Sequence, residues 1–323
     1  MIDISWPLPG QAQAQRGNLL WRSLHRLLLG TFPFERNPAL GLLEPGAGGI
    51  HGVRHLAVPI GDYFSPAILF TPKKHLGSTV LLVHGTSASD ICPYYLVIRE
   101  LLAHGHQVLT FHLDGHGGNP RPLRQGSIDE CVPAAIHFLA AELEVEREHL
   151  GMLGVSLGGA CALHAGDSVK ALVSLGTPTS LSLTELDKAA EAVGLFVPEM
   201  YQLAIEATPN CMLAFVTDPV RVECGEGATC EEIDLLDVRM MPFIDETVRR
   251  LDPVASAGRL NDTALLVVNG AWDRQATPEA AVAIFDAAPG PKELALVPRR
   301  NHFTLITSQA VAELAASWFD EWL

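Results

Sequence analysis

The chain has 323 residues, 48% of them hydrophobic and 18% charged, which is material for one large α/β domain with an insertion or for two smaller domains. Its formal net charge of −15 works against nucleic acid as a partner, because phosphate contacts need a basic face. No apolar run is long enough to cross a bilayer, and Met1-Ile2-Asp3-Ile4-Ser5-Trp6-Pro7 lacks the basic and apolar regions of a signal peptide, so the expected location is cytoplasmic.

In chain order, residues 16–32 read as an amphipathic helix with Leu20, Leu24, Leu27 and Leu28 on one face and Arg22 and Arg26 towards another. Such a segment packs on a domain body or lies on a lipid surface, and weak lipid contact through residues 16–29 is one expectation. Pro45 to Gly52 reads as a linker, which makes residues 1–52 an N-terminal extension. Strand patterns follow at Val53–Ile60, Ala67–Thr71, Thr79–His84, Gln107–His112, His149–Val155, Lys170–Leu175, Thr263–Asn269 and Glu293–Val297. Helical patterns run through Tyr94–His104, Ile128–Glu148, Leu157–Gly166, Pro278–Ala288 and Ser308–Leu323. This alternation predicts an α/β fold: a mostly parallel eight-stranded sheet with helices on both faces, and ligands beyond the carboxyl ends of the strands.

One long interruption lies between Leu175 and Thr263, with helical patterns at Leu183–Val193 and Ile233–Leu251 and no clear strand. Thr179 to Asp252 holds 15 acidic and 5 basic residues, a net of −10. We read residues 179–252 as a helical cap inserted between strands 6 and 7, with residues 53–178 and 253–323 as the core. The apolar runs Val193–Val197 and Cys211–Val216 are either the cap's inner face or its own core. Six cysteines stand at 92, 131, 161, 211, 224 and 230 with no Cys-x-x-Cys pair. Free thiols are expected, although Cys224 and Cys230 bracket a Gly-rich loop that an oxidising compartment would allow to be bridged.

The chemistry concentrates at the carboxyl ends of those strands. Gly154-Val155-Ser156-Leu157-Gly158 has the form Gly-x-Ser-x-Gly, with an apolar strand before it and small, helix-compatible residues after it. That is what a sharp strand-to-helix turn presenting a serine hydroxyl requires. His84-Gly85-Thr86-Ser87, Leu113-Asp114-Gly115-His116-Gly117, Gly270-Ala271-Trp272-Asp273 and Pro298-Arg299-Arg300-Asn301-His302-Phe303 each follow a predicted strand.

Taken together, these segments over residues 53–323 resemble the α/β-hydrolase superfamily, in its branch of serine esterases and lipases with a cap domain. The resemblance implies Ser156 as nucleophile, Asp273 as the acid and His302 as the base, in the order Ser…Asp…His that this family uses. His84-Gly85-Thr86 lacks a Gly-Gly run, which points to the plain His-Gly-x kind. The chemistry makes matching demands. A serine hydroxyl needs a base within hydrogen-bond reach, and a carboxylate must hold the imidazole in one tautomer. Backbone N–H groups of Leu157 and Thr86 are the expected oxyanion donors. Trp272, Phe303 and Ser87 are candidates to line the substrate pocket; the alternative is loop packing for the aromatics and an ordinary turn residue for Ser87. His84 is expected to tie the oxyanion loop, and Asp114 and His116 to stabilise their own loop. The spacing of His112, Asp114 and His116 matches no metal site. The expected substrate is a small, uncharged, short- to medium-chain ester, cleaved with no cofactor. Thioester, amide or carbon–carbon cleavage is open to the same residues, as are a monoacylglycerol- or lysophospholipid-type lipase and a non-catalytic ligand-binding protein.

Overall fold

A computed structural model describes residues 50–86, 94–123, 127–181, 220–223, 230–233 and 241–323. The expectations for helix 16–32, Ser87, Cys92, Leu183–Val193, Val193–Val197, Cys211–Val216 and the Cys224–Cys230 pair lie outside the described residues.

The described residues begin with a hairpin. β1 (Ile50–Ile60) and β2 (Tyr63–Pro72) pair antiparallel, with Ile60 opposite Tyr63 across the turn Gly61-Asp62. Gly61 supplies the positive φ of 58° that a turn this tight needs. β3 (Thr79–Val83), α1 (Tyr95–Ala103), β4 (Gln107–Phe111), α2 (Cys131–Glu142), β5 (Leu150–Val155), α3 (Leu157–His164) and β6 (Ala171–Leu175) then alternate. After an insertion come β9 (Ala264–Gly270), α6 (Pro278–Ala287), β10 (Lys292–Val297), α7 (His302–Ile306) and α8 (Gln309–Trp322). The insertion contributes β7 (Val220–Glu223), β8 (Cys230–Ile233), α4 (Met241–Leu251) and α5 (Pro253–Gly258).

Eight strands form one sheet in the order β1-β2-β4-β3-β5-β6-β9-β10. Every pairing from β4 to β10 is parallel, and β2 alone runs against its neighbours. The two-residue alternation of strand side chains divides the core in two. Val80, Leu82, Leu153, Val155, Val173, Leu266 and Val268 pack on one face with α1 and α8. Leu81, Val83, Met152, Leu172, Leu265 and Val267 pack on the other with α2, α3 and α6. Burial on both faces is why the central strands read as unbroken apolar runs.

Three expectations need correction. β1 begins at Ile50, inside the stretch expected to be linker. The helix expected over Ile128–Glu148 is an α-helix only over Cys131–Glu142; Glu144 takes φ 54° and Glu146 is extended. Continuing it would place Glu142 against Glu146 and Glu144 against Glu148 at i,i+4, a like-charge repulsion on each pair. The insertion is not purely helical either, since β7 and β8 form an antiparallel ribbon. Val220 and Val222 alternate with Arg221 and are fully buried, a two-residue period too short to stand out in sequence. No helix among the described residues is long and apolar enough to cross a membrane.

Candidate active site

The site is built at the carboxyl ends of β3, β5, β9 and β10, from the turn after each. β5 ends at Val155 and α3 begins at Leu157, so Ser156 must absorb the whole reversal of direction. It does so with φ 53° and ψ −119°, a conformation that costs a non-glycine residue about 1–3 kcal/mol. The surrounding backbone imposes it: Ser156 N–H donates to Leu175 C=O (2.9 Å) and Gly159 N–H donates to Ser156 C=O (2.9 Å). The flanking glycines make the packing possible. A Cβ on Gly154 would lie 2.4 Å from Gly158 C=O oxygen, and one on Gly158 would lie 2.3 Å from the carbonyl oxygens of Val83 and His84.

The structure brings Ser156, His302 and Asp273 together. Ser156 Oγ lies 2.9 Å from His302 Nε2, and His302 Nδ1 lies 2.8 Å from Asp273 Oδ2. With Nδ1–H donating to the carboxylate, Nε2 carries the lone pair that accepts the serine hydroxyl. Asp273 is almost fully buried, and its other oxygen accepts the N–H groups of Gln275 (2.9 Å) and Ala276 (2.8 Å), which fixes the carboxylate plane. Two backbone bonds lock the Asp273 turn to the His302 turn: Ala271 N–H donates to Val297 C=O (2.9 Å) and Trp272 N–H to Arg300 C=O (2.9 Å). His302 is the first residue of α7. There Asn301 Oδ1 accepts Thr304 N–H while Thr304 Oγ1 accepts Asn301 N–H, a reciprocal cap that sets the helix start.

Leu157 N–H, at the first turn of α3, has no carbonyl four residues back within the helix to accept it. Opposite it, Gly85 abuts the serine: its Cβ position lies 3.2 Å from Ser156 Cβ. Thr86 follows, with a buried hydroxyl that meets no partner among the described residues. His84 holds this loop from behind. Its Nδ1–H donates to Gly85 C=O (2.7 Å), and Leu113 N–H donates to its Nε2 (3.0 Å), so the ring is neutral in a single tautomer. Burial pushes its pKa down to about 4.

The other candidates surround this relay in different ways. Phe303 is 3% exposed and belongs to the core with α8, its ring edge-on to that of His302 at 5.9 Å, which is the packing alternative of the sequence reading. Trp272 is 63% exposed beside Asp273. Asp114 and His116 both stabilise their own loop. Asp114 is buried and accepts Tyr63 Oη–H (2.5 Å) and Arg121 Nε–H (2.6 Å), while His116 Nδ1–H donates to Asp114's backbone carbonyl (2.7 Å). Sequence reading passed over Tyr94, whose hydroxyl oxygen accepts Gly85 N–H (2.8 Å); its only signal is an aromatic residue at the start of α1.

Residues 78–217 match a family model described as the alpha/beta hydrolase fold. The chain is 27% identical over 238 residues to a Pseudomonas putida protein, the dihydrolipoyllysine-residue acetyltransferase component of an acetoin cleaving system. That match covers 70% of this chain and 59% of the relative. Among solved structures, it is similar to an esterase domain from Rhodothermus marinus, with 19% identity and TM-score 0.54 over 84% of this chain and 99% of that one. It is also similar to a soluble variant of monoglyceride lipase from Saccharomyces cerevisiae, with 14% identity and TM-score 0.55 over 82% of this chain and 94% of that one. On its sheet order, on that family model and on these neighbours, the chain is an α/β-hydrolase-fold protein.

Proposed function

We propose that the protein is a serine hydrolase that cleaves carboxylic esters through an acyl-enzyme. The observation that carries this reading is the unbroken relay from Ser156 Oγ through His302 to a buried, doubly bonded Asp273. Ser156 Oγ attacks the ester carbonyl carbon as its proton passes to His302 Nε2. Negative charge on the carbonyl oxygen meets the N–H groups of Leu157 and Thr86, and Asp273 stabilises the imidazolium that forms. Collapse breaks the bond to the alcohol oxygen, which takes the proton from His302 and leaves an acyl group on Ser156. Water then attacks that carbonyl, giving its proton to His302. The acid departs and the proton returns to Ser156. Every step uses only this chain's residues and water.

The insertion's net charge of −10 supports an uncharged substrate, since a negative field repels anions at the mouth of a cleft. The names of two structural neighbours, an esterase domain and a monoglyceride lipase, point to the same bond. The test is a pre-steady-state burst of p-nitrophenol from short- and medium-chain p-nitrophenyl esters, with Ser156→Ala as control. The expected result is a burst of about one equivalent per chain that the variant lacks. No burst at any acyl length, or an undiminished burst from the variant, would overturn the reading.

A further inference from the structure

Gly85 creates a problem that the catalytic relay does not solve. The close approach of Ser156 Cβ and Val155 C=O oxygen, both 3.2 Å from where a Cβ would sit, favours glycine at this position. Glycine is also the residue with the least intrinsic restriction on φ and ψ. The oxyanion donor proposed above, Thr86 N–H, sits one peptide unit further along, so any rotation about Gly85 misdirects it.

Two side chains remove that freedom, one on each side of the Gly85 Cα. His84 Nδ1–H holds Gly85 C=O at 2.7 Å. That carbonyl and Thr86 N–H belong to one planar trans peptide and point in opposite directions, so the bond aims Thr86 N–H away from the imidazole. The preceding peptide, between His84 and Gly85, ends in Gly85 N–H, and this donates to Tyr94 Oη at 2.8 Å. The phenol is suited to the task. It is 1% exposed, its ring is packed in the core with Leu82 and Val155, and burial holds its pKa far above the usual tyrosine range, so it is neutral at every working pH.

We propose that Tyr94 is a positioning residue of the hydrolytic centre: by accepting Gly85 N–H it fixes the peptide ahead of the oxyanion loop and thereby sets the direction of Thr86 N–H. This rests on the reading of Thr86 as an oxyanion donor. It assigns to one oxygen atom of Tyr94 a contribution to rate that its ring, a core residue, does not make.

Tyr94→Phe keeps the ring and deletes the oxygen. Losing an oxyanion donor outright costs on the order of a hundredfold or more in rate, and losing its aim costs part of that. The expected result on a soluble p-nitrophenyl ester is a fall in kcat of roughly tenfold, with KM within about twofold, at a temperature well below the melting point of both proteins. A purely structural role would lower the melting point and leave kcat of the folded enzyme unchanged. Should Tyr94→Phe not fold, 4-fluorophenylalanine at position 94 fills the hydroxyl's space with a poor acceptor, and the same fall in kcat is expected. Wild-type turnover with kcat unchanged in the folded variant would overturn the role of Tyr94 alone. Absence of turnover by the wild type would instead remove the hydrolase reading on which it rests.

Discussion

Asp273 divides its two carboxylate oxygens between different tasks, one bound to two backbone N–H groups and one to His302 Nδ1. Asp273→Asn keeps the first task, because an amide oxygen still accepts Gln275 and Ala276. It fails at the second, because an amide NH2 beside Nδ1 turns the imidazole to the tautomer that cannot accept from Ser156. The expected outcome is a fall in kcat of about 10⁴ with a melting temperature close to wild type, read by steady-state kinetics and calorimetry. The same scale explains what sequence could and could not tell about Phe303. His302 and Phe303 are neighbours in the chain, which suggests a shared pocket, yet successive residues on a helix point about 100° apart. In α7 the imidazole meets Ser156 while the phenyl ring turns into the core. Tyr94 shows the complementary limit. Its bond to Gly85 joins two residues nine apart in the chain, and no local pattern encodes such a contact.

At the scale of elements, α3 is held against β3 by the absence of side chains. A methyl on Gly158 would meet two backbone carbonyl oxygens at 2.3 Å, and backbone in mid-sheet does not yield as a flexible side chain does. Glycine to alanine in an exposed helix is stabilising by about 1 kcal/mol. Here the sign reverses. Gly158→Ala should cost about 1–3 kcal/mol in urea denaturation, and it should lower kcat by moving Ser156 and Leu157 away from the oxyanion loop. Gly52→Ala, with nothing among the described residues within 4 Å of its Cβ position, is the control and should do neither. The same buried, two-faced strands that make this packing tight also made β3, β5, β6 and β9 legible in sequence to within a residue or two. Legibility failed where the physics was local and weak, in a four-residue ribbon and in a helix stopped by a run of glutamates.

For the whole molecule, several histidines are kept neutral by burial. His84 titrates at about 4, and His106 and His116 are lowered in the same direction by desolvation. Between the unfolded value of 6.5 and about 4, the unfolded chain binds protons that the folded chain refuses. The stability that these buried histidines carry is therefore complete above about pH 6.5 and should fall by a few kcal/mol as the pH drops towards 4. Urea midpoints measured from pH 7.5 to 4.5 check this, and a flat profile would contradict it. The order of Ser156, Asp273 and His302 along the chain was readable from motifs after strands, because a parallel sheet gathers the carboxyl ends of its strands along one edge. The central claim is that this edge makes Ser156 a nucleophile. Reaction with a fluorophosphonate, followed by mass spectrometry of the peptide spanning residues 150–160, tests it most directly. The account predicts one phosphonyl adduct per chain on Ser156, lost in Ser156→Ala and strongly slowed in Asp273→Asn; no adduct, or an adduct on another residue, would contradict it.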